Sequence, residues 1–169
     1  QAIAKCPNLV ILDATRGYIP TMASIMDPNQ LNMYSLVETL RMNSRHVLVV
    51  IDSLHSWTGM APDYLKEYEA LNLGISSLGS LASSVTCPII AISERNRASI
   101  DKGGVSAGAG SRKIEYSAES VVELDVTNAA PDANEEKRIS VSLSKNRNGI
   151  TGRPVELYFS GRLQQFREA

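Results

Sequence analysis

Residues 46–53 read HVLVVIDS, a stretch in which five apolar residues in a row are followed by a carboxylate at Asp52. An uninterrupted apolar run of this length is typical of a strand that is covered on both faces of a parallel sheet. Residues 88–93 (PIIAIS) form a second run of this kind, and residues 9–12 (LVIL) form a third. The sequence therefore predicts three buried strands, of which residues 47–51 give the strongest signal.

Helix signals separate these strands. The sequence Asp27-Pro28-Asn29 is a helix start, and apolar spacing predicts a helix over residues 31–42. A longer helix is predicted over residues 64–84, where small residues indicate close packing on a sheet. Strands that are joined by helices form right-handed parallel crossovers. The pattern predicts a three-layer α/β/α domain with a mixed, mainly parallel sheet.

The C-terminal part of the chain changes to alternating apolar and polar residues. Residues 121–126 (VVELDV) predict a strand, and residues 139–145 and 154–159 alternate on either side of the turn sequence NRNGITG. These two segments predict an antiparallel β-hairpin at one edge of the sheet. Residues 161–166 predict one more short strand, and the glycine- and serine-rich residues 95–111 predict a loop.

Composition narrows the class of protein. The chain has 169 residues, of which 43% are hydrophobic and 21% charged, with a net charge of −1, so disorder is excluded. No apolar run approaches the roughly 20 residues that span a bilayer. Cys6 and Cys87 stand far apart, which excludes a disulfide framework and a zinc site and favours a cytoplasmic location. The start at Gln1, within a helix-like sequence, predicts a fragment.

Acidic residues stand at the ends of the predicted strands, where ligands bind in parallel sheets. Asp13, Asp52 and Glu94 each follow an apolar run directly. Asp52 is the strongest candidate because an apolar strand that ends in Asp is the Walker B arrangement, which binds Mg²⁺ directly or through water. The chain contains no GxxxxGK[ST] phosphate-binding loop.

Basic residues are concentrated in two segments that flank an acidic one. Residues 115–136 contain seven acidic residues and no Lys or Arg, whereas residues 137–153 contain five basic residues and no acid. Two interpretations remain open, namely solvated faces of alternating charge, or two basic loops that bind phosphates. The first basic segment supplies five candidate DNA contacts: Arg95, Arg97, Lys102, Arg112 and Lys113.

The tail SKNRNGITGRPVELYFSGRLQQF resembles the end of the motor domain of DnaB-type replicative helicases, members of the RecA-like ATPase superfamily. That family has a basic hairpin of the form K-x-R-N-G-x-T-G, which begins here at Lys145. PIIAISERNRAS matches its strand and sensor segment, and GSRKIEYSAESVVEL matches its G-S-x-x-I-E-x-x-A-D-x-V-x-x-L stretch. VLVVIDSLHSW falls at its Walker B strand. The resemblance covers residues 9–166.

The resemblance implies a RecA-like P-loop NTPase core in which residues 1–169 are the C-terminal two-thirds of one domain. The Walker A loop and the catalytic glutamate would then lie upstream of Gln1, so the fragment alone is expected to be inactive. The intact protein is expected to be an ATP-hydrolysing DNA helicase that moves along single-stranded DNA, uses ATP and Mg²⁺, and forms a hexameric ring of identical subunits without a membrane segment.

The resemblance also implies roles for individual residues. Asp52 would bind Mg²⁺ and Glu94 would sense the nucleotide. Lys145 and Arg147, two positions apart on an alternating strand, have side chains on one face and would act as an arginine finger toward the nucleotide of the neighbouring subunit. Asp52, Lys145 and Arg147 would thus form the ATP site, and the basic loop would contact DNA.

The sequence departs from the family at two points. Glu94 stands where the family usually has Gln. Ala109-Gly110 replaces the basic–acidic pair that the family has just before its I-E step, and Arg112 and Lys113 are shifted closer to that step. RadA-like and KaiC-like ATPases, which also have a K-N-R hairpin, remain alternatives. A non-catalytic module that binds nucleic acid or another subunit is a third possibility.

Purely structural roles for the same residues also stay open. Asp52 could cap a strand end, and Glu94 could form a surface salt bridge. Lys145 and Arg147 could be edge-strand charges that guard against aggregation. Cys87 is expected in the core.

Overall fold

The chain divides into two units, Gln1–Lys113 and Ile114–Ala169. The prediction of one domain over residues 1–169 stays a prediction. The computed structural model describes residues 8–12, 33–59, 64–94, 109–127 and 136–169.

The N-terminal unit alternates helices with short strands, as the sequence predicts. Its elements are α1 (Met33–Asn43), β1 (Val49–Ile51), α2 (Leu54–Thr58), α3 (Glu67–Val85) and β2 (Ile89–Ala91).

Helix α3 begins three residues later than its predicted start at residue 64, where the Glu69 side chain caps the first turn. The backbone N–H of Lys66 donates to a carboxylate oxygen of Glu69 at 3.1 Å, and this contact satisfies an amide at the helix start. The helix then continues to Val85, one residue beyond the predicted end.

Strands β1 and β2 pair in parallel, with Val49 opposite Ile89 and Ile51 opposite Ala91. The connection between them contains α2 and α3. This is the strand–helix–strand crossover that the apolar runs and helix signals predict.

The core of the unit lies between its helices and one face of this sheet. Val37 of α1, Leu54 of α2 and Val85 of α3 are each about 1% exposed. Helix α3 buries one face, whose residues recur at helical spacing: Ala70, Leu71, Gly74, Ile75, Leu78, Leu81 and Val85.

The other face of the β1–β2 sheet is half-exposed, so the prediction that these strands are buried on both faces is wrong. Leu48 and Val50 are each 54% exposed, and Ile90 and Ile92 are 51% and 44% exposed. Side chains alternate between the faces of a strand, and the described helices cover only the face that carries Ile51. We call the row Leu48, Val50, Ile90 and Ile92 the open sheet face.

The predicted N-terminal strand at residues 9–12 is also not observed. These four residues form no strand, and their side chains are 40% to 55% exposed. An apolar run becomes a strand only where a neighbouring strand satisfies its backbone groups, and no described strand pairs with this one.

The C-terminal unit contains a four-stranded antiparallel sheet in the order β3-β4-β5-β6, which confirms the predicted hairpin and the short final strand. Among the described strands this sheet is separate from the β1–β2 pair, so the hairpin is not an edge of that pair. Helix α4 (Ala109–Ser117) precedes this sheet, and the division between the two units falls within it. The strands are β3 (Ser120–Val126), β4 (Glu136–Asn146), β5 (Val155–Ser160) and β6 (Gln165–Glu168).

Helix α4 changes one boundary of the predicted loop over residues 95–111. Its first three residues, Ala109 to Ser111, were expected in the loop but are helical. Residues 95–108 lie outside the described residues.

Side chains on one face of this sheet form a polar network. The guanidinium of Arg167 lies 4.4 Å from the ring centroid of Tyr158, and Arg138 pairs with Glu156 at 3.1 Å. On the other face, Ile139 is buried, and cross-strand pairing stabilises this small sheet.

Strand β4 is longer than its partner β5. It pairs with β5 only as far as Val141, whereas it pairs with β3 as far as Asn146. The end of β4 therefore projects beyond β5 toward the turn, and it carries Lys145.

Within the described residues, no helix combines the length and the apolar character that crossing a membrane requires.

Candidate nucleotide and finger sites

Asp52 lies at the carboxyl end of β1, where the parallel pair continues for one further step. The N–H of Ile92 donates to the carbonyl of Ile51 at 2.9 Å, and the N–H of Leu54 donates to the carbonyl of Ile92 at 2.7 Å. These two bonds hold the chain after β1 against the chain after β2. The carboxylate of Asp52 is exposed at this edge of the sheet.

Helix α2 begins two residues after Asp52 and fixes how the chain leaves the strand. Ser53 is its N-cap, and the Ser53 hydroxyl accepts a hydrogen bond from the N–H of Ser56 at 3.3 Å. The peptide bond between Asp52 and Ser53 is cis. Leu54 and Trp57 are buried, so α2 is anchored in the core while Asp52 stays in contact with solvent.

The donor set at this edge fits Mg²⁺ held together with a nucleotide. Among the described residues, no three His, Cys, Asp or Glu side chains come together to form a protein cage for a metal ion. Mg²⁺ commonly keeps several waters and takes only one or two carboxylates along with substrate phosphates. An exposed single carboxylate such as Asp52 can serve as such a ligand.

Glu94 follows β2 by three residues, and its side chain is exposed. The parallel register sends the chain after each strand to the same edge of the sheet, so Glu94 and Asp52 follow strand ends on one side. No basic side chain in the described part of the chain pairs with Glu94. Arg95 and Arg97, its expected partners, lie outside the described residues.

Only part of the predicted DNA-binding segment lies within the described residues. Arg95, Arg97 and Lys102 lie outside the described residues. Arg112 and Lys113 belong to helix α4, and the side chain of Lys113 is half-buried, whereas that of Arg112 is outside the description. The predicted DNA contacts therefore stay predictions.

Lys145 is bound to the C-terminal end of helix α4. Its ammonium donates to the carbonyl oxygens of Glu115 at 2.5 Å and of Tyr116 at 3.2 Å. The last carbonyls of a helix have no partner within the helix and carry partial negative charge, so a cation is favoured there.

Arg147 is bound to the same helix end. Its Nη2 donates to the Tyr116 carbonyl at 2.7 Å, and its Nη1 pairs with a Glu119 carboxylate oxygen at 2.9 Å. Its backbone N–H donates to the Glu119 carbonyl at 2.9 Å. The Arg147 side chain is still 50% exposed.

The two predicted finger residues lie side by side, because both donate to the carbonyl oxygen of Tyr116. Only Lys145 belongs to β4, whereas Arg147 lies in the turn that follows, so the prediction that one strand carries both is wrong. The sequence did not predict the groups that bind these two side chains. Glu119 gave a weak signal, since it stands at the acidic position of the A-D-x-V step. The carbonyls of Glu115 and Tyr116 gave none, since backbone oxygens have no sequence signature. We call Lys145, Arg147, Glu119 and the Tyr116 carbonyl the finger cluster.

Cys87, which was expected in the core, is buried, and so is Trp57. Trp57 is 4% exposed and Cys87 is 5% exposed. The thiol of Cys87 donates to the carbonyl of Val47 at 3.2 Å. Burial raises the pKa of this thiol above its usual range, although the Val49 backbone and the Arg41 charge act in the opposite direction.

The model of the DnaB-like helicase C-terminal domain family matches residues 12–168, nearly the whole chain. The chain belongs to this family. The match favours the helicase branch over the RadA-like and KaiC-like alternatives, because it is this family's model that covers the chain. No curated protein sequence matches the chain.

Solved structures agree with a DnaB-like helicase fold. A DnaB-like replicative helicase, whose structure was described with its interactions with primase, has a TM-score of 0.66 and 18% identity over 86% of this chain and 34% of that one. A second solved structure, an ATPase domain, is similar with a TM-score of 0.67 and 18% identity, over 88% of this chain and 51% of that one. The chain thus spans about a third and about half of the lengths of these two structures.

Proposed function

We propose that this chain is part of the motor of an ATP-hydrolysing DNA helicase that moves along single-stranded DNA as a hexameric ring of identical subunits. The main support is that its two candidate phosphate-binding cations, Lys145 and Arg147, lie together on one helix end, where the Arg147 side chain is 50% exposed. Membership in the DnaB-like family supports the same function.

The nucleotide site of each subunit would include Asp52 and Glu94. The Asp52 carboxylate would hold Mg²⁺ beside the phosphates, and the ion would neutralise charge on the transferring phosphoryl group. Glu94, at the same sheet edge, would respond to the γ-phosphate. A chain with no GxxxxGK[ST] cannot cradle the phosphates by itself, so we expect no appreciable ATP hydrolysis from it alone.

Lys145 and Arg147 would act on the nucleotide of the neighbouring subunit. A planar guanidinium next to an ammonium matches the negative charge on the γ-phosphoryl oxygens in the transition state. A head-to-tail ring brings one surface of each subunit against a different surface of the next, so a finger and a nucleotide site can come from two subunits.

The basic residues of the 95–113 segment would contact the DNA backbone by charge. Phosphate contacts of this kind need no base recognition and give binding that weakens as salt rises.

The test uses subunits of the complete helicase that carry either Asp52→Asn or Arg147→Ala. Arg147→Ala alone is expected to lose at least about 10³-fold in hydrolysis rate, since a finger contributes about 10³ to 10⁵. Asp52→Asn alone is expected to lose most of its hydrolysis, since it removes a Mg²⁺ ligand. Arg153→Ala, another exposed arginine near the same turn, is the matched control and should keep normal activity.

Mixed rings then locate the finger. The two variants are co-expressed with different tags, and only rings that carry both tags are purified. In an equal mixture roughly a quarter of the interfaces combine an intact Asp52 with an intact Arg147 from the neighbour, so part of the activity should return. Mixed rings without activity would place Arg147 outside the neighbour's site, and an active Arg147→Ala ring would exclude the finger altogether.

A further inference from the structure

Glu119 is the side chain that most directly restrains the guanidinium of Arg147. The ion pair from its carboxylate to Nη1 measures 2.9 Å, and its own carbonyl accepts the Arg147 backbone N–H at the same distance. Both ends of the arginine, backbone and guanidinium, are thus fixed to one residue. The Tyr116 carbonyl adds a third contact, at Nη2.

We propose that Glu119 is a positioning residue that holds Arg147 in the orientation in which it reaches the neighbouring subunit's nucleotide. This inference rests on the proposed finger role of Arg147. Glu119 itself would touch neither the nucleotide nor Mg²⁺, and its effect would be transmitted entirely through the arginine.

The hydrogen bonds in the finger cluster leave the arginine able to act. A guanidinium has five N–H donors in a fixed plane. Glu119 uses a donor of Nη1 and the Tyr116 carbonyl uses a donor of Nη2, so further donors stay available to a phosphate. A side chain that is already held in place loses less freedom when it engages the transition state.

Lys145 binds the same end of helix α4 as Arg147. Its ammonium shares the Tyr116 carbonyl with Arg147 and also binds the Glu115 carbonyl. Two cations that share one carbonyl repel each other, and the negative partial charge of the helix end offsets this repulsion. The Glu119 carboxylate offsets it further with a full negative charge.

The experiment compares Glu119→Ala, Glu119→Asp and Arg147→Ala in the complete helicase. Glu119→Ala should lower kcat for ATP hydrolysis by about 10-fold to 100-fold, the range expected when a catalytic group is misplaced by about 1 Å. The KM for ATP should not change, because Glu119 does not contact the subunit's own nucleotide. Glu119→Asp keeps the charge and should recover part of kcat.

A matched control removes a comparable ion pair from the same unit. Glu156 pairs with Arg138 at 3.1 Å and is also partly exposed. Glu156→Ala should leave kcat unchanged. An equal loss of kcat in Glu156→Ala and Glu119→Ala would show a general effect on the sheet and would overturn the proposal.

Mixed rings separate positioning from damage to the subunit itself. Glu119→Ala subunits have an intact nucleotide site, and Asp52→Asn subunits have an intact finger cluster. Adding inactive Asp52→Asn subunits to Glu119→Ala subunits should therefore raise the hydrolysis rate per Glu119→Ala subunit. If Glu119 served its own nucleotide site or the fold, the addition would not raise it, and the proposal would be wrong.

The results also distinguish this proposal from the proposed function. Full activity in Arg147→Ala would overturn the finger role itself. Loss of activity in Arg147→Ala that mixing restores, together with normal kcat in Glu119→Ala, would overturn only the role of Glu119.

Discussion

The backbone amide of Ile92 donates a 2.9 Å hydrogen bond to the carbonyl oxygen of Ile51. This bond extends the β1–β2 pairing past the end of β2 and holds the following residues beside Asp52. Glu94 comes two residues later and is exposed. The chain therefore places two carboxylates at one sheet edge, where the proposed function requires a triphosphate to bind.

Replacing Glu94 with Gln should strengthen ATP binding. The change removes a negative charge near the phosphates, and one charge pair in a solvated site accounts for about 1 kcal/mol, or about fivefold in affinity. The amide can still form a hydrogen bond, so hydrolysis should persist. Titration of the complete helicase with a fluorescent ATP analogue measures the affinity.

Glu67→Gln, an exposed carboxylate in the first turn of α3, is the control for this measurement and should have no effect. Weaker binding in Glu94→Gln would contradict the prediction, since it would show that the carboxylate itself holds the ion–nucleotide complex.

Substitution of the basic loop should change the salt dependence of DNA binding. In the triple variant Arg95→Ala, Arg97→Ala, Lys102→Ala, the slope of log K against log salt should decrease by about 0.7 for each phosphate that the protein no longer neutralises. Fluorescence anisotropy of labelled oligo-dT with assembled rings gives this slope. A second triple variant, Lys137→Ala, Arg153→Ala, Arg162→Ala, removes exposed charge elsewhere and should keep the original slope. Equal slopes in both variants and the wild type would assign the loop to a solvated surface.

Leu54→Ala should destabilise the chain strongly. Leu54 is 1% exposed and lies in the core directly after the Asp52 strand end, so its truncation should cost about 2 to 5 kcal/mol of unfolding free energy. Leu73→Ala is the same change at a helical position that is 49% exposed, and it should stay within about 0.5 kcal/mol of wild type. Urea unfolding measures both. Similar losses in the two variants would contradict the observed burial.

Cys87 should make stability fall at alkaline pH. Burial raises the pKa of its thiol in the folded state, so above the ordinary thiol pKa of about 8.5 the unfolded chain gives up its proton first. The stabilising contribution is complete below that pH and is lost as pH rises through the folded-state pKa. Between about pH 8 and about pH 10.5, wild type should lose more unfolding free energy than Cys87→Ala. Parallel urea curves at the two pH values test this, and equal losses would contradict it.

The sequence predicts the connectivity well because connectivity depends on local signals. The apolar run that ends at Asp52 and the alternation around NRNGITG are each visible within a few residues. The predicted β1–β2 crossover and the β4–β5 hairpin both occur in the structure.

Burial and long-range contacts are less predictable. An apolar run has the same appearance whether one or both faces are covered, so Val50 and Ile90 could not be distinguished from Ile51. Contacts in the finger cluster join residues about 30 positions apart through a backbone carbonyl. No pattern of side chains encodes such a contact.

The open sheet face should affect the tendency of the purified chain to self-associate. Four half-exposed aliphatic side chains, on β1, on β2 and on the residues next to these strands, form a surface that favours contact with other molecules. A net charge of −1 at pH 7 supplies little electrostatic repulsion between copies. The colloidal stability of the purified chain should therefore depend on buffer pH, and moderately alkaline buffers, which increase its negative charge, are the conditions in which it stays dispersed.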